Sequence, residues 1–182
     1  MNRWRDPGES VVYRGLRERG PGSPQFGASR PASLEGVRPG PAFPRSYVNR
    51  PVQKALAALV AEPGEQTLEA LLRAALKGGL TVDVTGSPSP QELRLRTLQS
   101  TDGRPVLPLF SSLAELEATA REAAEPESSD VRVEGIIVPG RQALGFITTA
   151  DFVAVQFDPR HPGGVIARAH VERALGIASS AG

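Results

Sequence analysis

The imidazoles that could do acid–base or metal chemistry are few in this sequence and lie near its C-terminal end. His161 and His170 are the two imidazoles, and there is no cysteine. Thiolate nucleophiles, disulfides and Cys-based zinc or iron–sulfur sites are therefore excluded. Hydrolysis through an activated Ser or Thr needs a nearby base and an elbow that exposes the hydroxyl, and no Gly-x-Ser-x-Gly run is present. His161 lies in Asp158-Pro159-Arg160-His161-Pro162-Gly163-Gly164, a turn-rich stretch where an exposed polar residue is expected, and His170 falls at the start of a helix. Neither is expected to be catalytic.

Asp151, Asp158 and His161 offer oxygen and imidazole donors that a metal would accept, but their spacing matches no metal-binding loop and strand ends are ordinarily polar. No metal and no cofactor is expected. Gly78-Gly79 follows a helix instead of opening one, and Gly163-Gly164 lacks the Lys-Ser/Thr of a phosphate loop, so neither cradles a phosphate. Arg94 and Arg96 alternate along an expected strand; they solvate an exposed sheet face, with anion binding as the alternative.

The elements that must position these residues follow from composition. The net charge of +1 is unevenly spread: residues 1–46 carry eight Arg against four acidic residues, net +4, which leaves −3 on the remainder. Seven Gly and seven Pro fall in those 46 positions, so this segment reads as a disordered arm, with Val11-Val12-Tyr13 as a brief extended stretch. Its arginines are interleaved with Trp4, Tyr13, Phe26, Phe43 and Tyr47. Such a pattern could stack on RNA bases and pair with phosphates, although a solvated or loosely body-bound tail is the default reading. No run approaches the roughly 18 apolar residues of a membrane span, and the first residues lack the apolar core of a signal peptide. A cytoplasmic location is the expectation.

Residues 47–177 read as one α/β domain, followed by a short flexible tail at 178–182. Asn49 is an N-cap with Pro51 in the first turn, and Val52, Ala55, Leu56, Leu59 and Val60 mark one helix face. A second helix carries Leu68, Leu71, Leu72, Ala75 and Leu76 and stops at Gly78-Gly79. The period then changes to two: Leu80, Val82 and Val84 predict a half-buried strand, and Leu93 and Leu95 a second. Asp102-Gly103 predicts a hairpin turn into Val106 to Phe110. Pro105 and Pro108 remove ladder donors there, so this strand is expected at an edge or with a bulge. Ser112-Leu113-Ala114-Glu115 is a capping box for a helix to about Ala123, with a polar loop from Glu125 to Asp130 after it. Val131 to Val138 predicts a strand, Pro139 to Ile147 a short helix, and Phe152 to Phe157 a central strand apolar on both faces. Val165 to Ala167 forms a last strand, and Val171 with Leu175 faces inward from a closing helix. A mixed, mainly antiparallel sheet covered by helices results.

Two segments resemble the SseB family, the enhanced serine sensitivity protein B N-terminal domain. The first is Asp102-Gly103-Arg104-Pro105-Val106-Leu107-Pro108-Leu109-Phe110-Ser111-Ser112 with the helix bearing Glu115. The second is the strand and turn from Phe152 to Gly164, where Asp158-Pro159 stands for that family's Asn-Pro. The resemblance spans roughly residues 49–176 and implies an α/β domain without established catalytic residues. An older link of the family to sulfur transfer fails here for want of a thiolate. A non-enzymatic binding or regulatory domain is therefore expected, meeting a cytosolic protein through Pro105, Leu107 and Pro108 at a sheet edge, or beside the turn holding Asp158, Arg160 and His161. The alternatives are an RNA- or ribosome-associated factor acting through the arm, and a small-ligand protein or enzyme with an unrecognised site.

Overall fold

Asn49 sets the start of the first helix by satisfying three strands of the fold's bookkeeping at once. Its Oδ1 accepts from the Val52 N–H at 3.2 Å, its Nδ2 donates to the Gly79 carbonyl at 2.9 Å, and its own N–H donates to the Ser111 carbonyl at 2.8 Å. The computed structural model describes residues 43–89, 92–123, 132–161 and 163–177. The expectations for the arm over residues 1–42, for the polar loop from Glu125 to Asp130 and for the tail at 178–182 lie outside the described residues.

From Asn49 runs α1 (Arg50–Ala61), with Pro51 in its first turn, followed by α2 (Glu65–Lys77). They bury Val52, Leu56 and Leu59 against a partner face of Leu68, Leu71, Leu72 and Ala75. Val60, expected on the same stripe, is 43% exposed. Eight residues at 100° each place it about 80° round the helix from Val52, past the margin of the buried face.

The remaining elements are β1 (Gly79–Asp83), β2 (Leu98–Gln99), β3 (Pro105–Leu109), α3 (Leu113–Ala123), β4 (Gly135–Pro139) and α4 (Gly140–Gly145), which continues into a 3-10 turn at Phe146–Thr148. Then come β5 (Ala154–Phe157), β6 (Val165–Ala167) and α5 (Arg168–Leu175). Four strands form one sheet in the order β2-β3-β5-β6, in which β3 and β5 are parallel and the other pairs antiparallel; β1 and β4 form a separate antiparallel ladder. Thr81 and Phe110 exchange backbone bonds of 2.8 and 2.9 Å and stitch the two ladders together. The single sheet foreseen from the sequence is thus two ladders joined at one bridge.

Three strand expectations are corrected. All five residues of β1 are buried, where alternation predicted a half-exposed strand. Leu80 and Val82 join the helix-covered core, while a side chain at Gly135, beside β1, would meet Leu113 and Leu116 of α3 and the Thr81 methyl, so this ladder has packing on both faces. Leu93 to Arg96 is not a strand: Ser87 Oγ accepts the Arg94 N–H at 2.9 Å and the Asp83 carbonyl accepts the Arg96 N–H at 2.9 Å. The hairpin with β3 is made instead by Leu98 and Gln99.

The third correction concerns β3, which lies inside its sheet and not at an edge. The Pro105 and Leu109 carbonyls accept from Val153 and Asp158, so the odd-numbered residues face β5 and the even-numbered ones face the other way. On that other side β2 pairs only at Val106 and Pro105, and β1 reaches only Phe110. Pro108 falls in the gap between them, where no ladder donor is required, and this is how the strand tolerates an interior proline. Leu107 is 1% exposed and Pro108 is also buried, so neither presents an interaction surface.

The expected central strand is β5, buried at every position between β3 and β6. Arg168 at the head of α5 donates to the carbonyls of Ala150 and Phe152 at 3.1 and 3.2 Å, fixing the loop before β5. Gly176 closes α5 at φ 74, the left-handed position glycine adopts without strain.

Asn49→Ala would remove the helix cap and leave the buried Gly79 carbonyl short of a donor. A loss of about 2–3 kcal/mol is expected in urea unfolding; a change under 0.5 kcal/mol, the ordinary range for an uninvolved site, would contradict this role.

Candidate functional site

Where β5 leaves the core, the chain must reverse within a few residues to start β6. Asp158 makes this possible with φ 40, a left-handed conformation that Asp tolerates better than most residues. The Asp158 carbonyl then accepts from the His161 N–H at 2.8 Å, and the Gly164 carbonyl accepts from the Phe157 N–H at 2.9 Å. Parallel pairing of β3 with β5 brings the end of this strand level with the start of α3, so the 158–164 turn lies against that helix.

Asp158 is 2% exposed, and its Oδ1 accepts from the Ser111 N–H at 2.7 Å. Ser111 is held in turn by Gln53 of α1, whose Nε2 donates to its Oγ at 3.0 Å. Ser112 Oγ accepts the Glu115 N–H at 3.2 Å and caps α3, one half of the expected capping box. The Glu115 carboxylate, which a complete box would return to Ser112, faces His161 instead: Oε2 stands 3.6 Å from Nε2, beyond hydrogen-bonding distance. This Oε2 is buried and has no hydrogen-bond partner. Two helical turns further on, Glu122 meets Arg160 at 3.4 Å. Two acidic residues on one face of α3 thus oppose two basic residues of the turn.

Burial pushes the Asp158 carboxyl above the usual carboxylate range. The Ser111 bonds offset part of that rise, the negative charge of Glu115 adds to it, and His161 works against it. Gln156, two residues earlier on β5, is 3% exposed, and its Oε1 is another buried acceptor without a donor.

Of the residues singled out from sequence, Asp158, Arg160 and His161 are brought together here. Asp151 precedes β5 while Asp158 follows it, which sets them about 20 Å apart along an extended chain. Among the described residues no group of three or more His, Asp or Glu is placed to hold a metal ion. His170 lies on α5, at the opposite end of β6 from His161. Arg94 pairs with Glu92 at 2.9 Å, and Arg96 lies 3.8 Å from the Asp83 carboxylate. Of the aromatics in the RNA reading, Phe43 and Tyr47 pack on each other at 4.7 Å between centroids, and Tyr47 Oη accepts the Gly79 N–H at 3.0 Å. Both serve the body. Ser111, Gln53 and the Glu115 carboxylate were missed as site residues. Sequence placed Ser112 and Glu115 at a helix start, and only the β3–β5 pairing puts that start beside Asp158.

An α/β domain with two stitched ladders, helices on both sides and a polar ground between a helix start and a strand-end turn is the class defined by this geometry. The family model for the SseB protein N-terminal domain matches residues 52–173, and the chain belongs to that family. No curated protein and no solved structure matches it. Among the described residues, no helix is long and apolar enough to cross a membrane.

Proposed function

We propose that this chain is a non-catalytic cytosolic binding domain that receives a basic group of a protein partner on the ground between α3 and the 158–164 turn. The observation carrying this reading is the Glu115 Oε2, buried and without a donor. A buried carboxylate oxygen left unpaired is unfavourable, and a guanidinium or ammonium would remove that penalty with a charge-assisted bond. Asp158 and the Gln156 Oε1 add further acceptor character nearby, which favours a cation over an anion. The interior position of β3 leaves no support for recognition along Pro105 to Pro108, so the turn is the surviving surface.

The test is titration of the full chain with a short acetylated Arg-rich peptide followed by amide shifts. Shifts centred on Ser111, Glu115 and His161 are expected, weakened about tenfold by Glu115→Gln and reduced by salt. Shifts scattered over other acidic surfaces, or unaffected by Glu115→Gln, would refute this reading.

A further inference from the structure

Among the described residues, three buried side-chain atoms have no hydrogen-bond partner: Thr81 Oγ1, Glu115 Oε2 and Gln156 Oε1. Strand alternation puts all three on one side of the ladders. Leu107 and Leu109 of β3, with Val155 and Phe157 of β5, enter the helix-covered core, so Pro108, Phe110 and Gln156 face the opposite way. Phe110 packs there on Leu113 and Leu116 of α3, and Thr81, its partner across the bridge, shares that face. The polar atoms left without partners therefore collect in the layer that α3 covers, the layer to which Glu115 belongs.

Phe110 separates Thr81 from β5, which leaves Glu115 and Gln156 as a pair. Gln156 is 3% exposed and stands two residues before Asp158, about 7 Å along β5. The entrance is at the turn: the Glu115 side chain is 23% exposed although its Oε2 is covered, and His161 beside it is 52% exposed. Glu115 thus forms the mouth of this polar layer and Gln156 its floor, both offering an acceptor that lacks a donor.

We propose that the basic group received here is the guanidinium of a partner's arginine side chain, and that Gln156 selects it over lysine. This rests on the binding role assigned to Glu115 above. A guanidinium carries five N–H donors in a rigid plane, so it donates to the Glu115 carboxylate from one nitrogen and to the Gln156 side-chain oxygen from another. Both orphaned acceptors then gain a donor in one event, and neither keeps the cost of being buried unpaired. An ammonium gathers its three donors on a single, strongly hydrated atom. Paired with Glu115 at the mouth, it retains its water and leaves the Gln156 oxygen as it was.

Titration of the full chain with acetylated Arg-rich and Lys-rich peptides of equal length and charge, followed by amide shifts, tests this. The wild type should bind the Arg peptide about tenfold more tightly, the worth of one hydrogen bond to a charged donor. Gln156→Met keeps the length of the side chain without its acceptor; it should weaken the Arg peptide about tenfold, leave the Lys peptide unchanged and so erase the preference. The wild-type comparison stands whether or not that variant folds. Equal affinities of the wild type for the two peptides, both weakened by Glu115→Gln, would overturn the arginine assignment and leave the basic-group site in place. An Arg preference that survives in folded Gln156→Met would overturn the role of Gln156. Binding of neither peptide, or binding indifferent to Glu115→Gln, would remove the site itself and this inference with it.

Discussion

Gly140→Ala is expected to unfold the domain. A methyl group on Gly140 would stand 1.7 Å from the Ala75 carbonyl oxygen and 2.8 Å from its carbon, deep inside contact distance with the backbone of α2. Withdrawal of α4 cannot relieve this cheaply, because the Gly140 N–H donates to the Gly78 carbonyl at 2.7 Å and β4 ends at the preceding residue. The neighbouring atoms are backbone, not the far end of a flexible side chain. A loss above about 4 kcal/mol follows from overpacking against fixed backbone, enough to unfold a domain at the lower end of the roughly 5–15 kcal/mol such domains have. Gly145→Ala is the matched control, since nothing lies within 4 Å of the added methyl and its backbone is helical. That variant should gain about 0.5–1 kcal/mol in urea unfolding. Equal stability of the two variants would contradict the packing of α4 on α2.

The second large effect is opposite in sign to the usual result of removing a buried charge. Asp158→Asn is expected to raise the melting temperature at pH 7 by a few degrees. The amide oxygen can keep the Ser111 N–H bond, its NH2 would face the negative Glu115, and Asn accepts the left-handed backbone as readily as Asp. What disappears is the penalty of ionising a buried carboxyl beside Glu115. Because the folded state raises the pKa of Asp158, its favourable contribution is complete below the unfolded value of about 3.9 and is lost as pH rises through the higher folded-state pKa. Melts of both proteins should therefore converge near pH 4 and separate toward neutrality, with the variant higher. Asp158→Ala deletes the acceptor and leaves the Ser111 N–H buried, costing about 2–3 kcal/mol. A wild type more stable than Asp158→Asn at pH 7 would show that Asp158 is held by an attraction this account does not contain. The same substitution should weaken binding of a basic group, a trade of recognition for stability common at functional sites.

Much of the fold was legible because its signals are local. Asn49, Pro51 and the leucine stripe of α2 specify helices whose ends need no distant information, and the apolar residues on both faces of the stretch from Phe152 to Phe157 announce a central strand. Where the reading failed, tertiary partners decided. Pro105 and Pro108 looked like edge markers because one proline removes one donor, but whether that donor is needed depends on where β2 and β1 end. Leu93 and Leu95 alternate as a strand would, yet Ser87 and Asp83 take the hydrogen bonds of the intervening arginines. Thr81 and Asp83 are buried because α3 and the bridge to Phe110 close over a face that alternation marks as wet. The site was half legible: a turn with Asp158, Arg160 and His161 can be read directly, but Ser111 and Glu115, whose Oε2 has no hydrogen-bond donor, belong to it only through the pairing of β3 with β5, some fifty residues apart in sequence.

Affinity capture from native lysate, with the intact chain and with Glu115→Gln at equal loading, followed by protein and nucleic-acid detection, tests the binding account most directly. The expected result is a protein recovered by the intact chain, lost with Glu115→Gln although the variant melts as the wild type does, and released by a basic peptide. Recovery of the same partner at equal yield by both chains, or of RNA alone, would contradict it and move recognition away from the ground between α3 and the 158–164 turn.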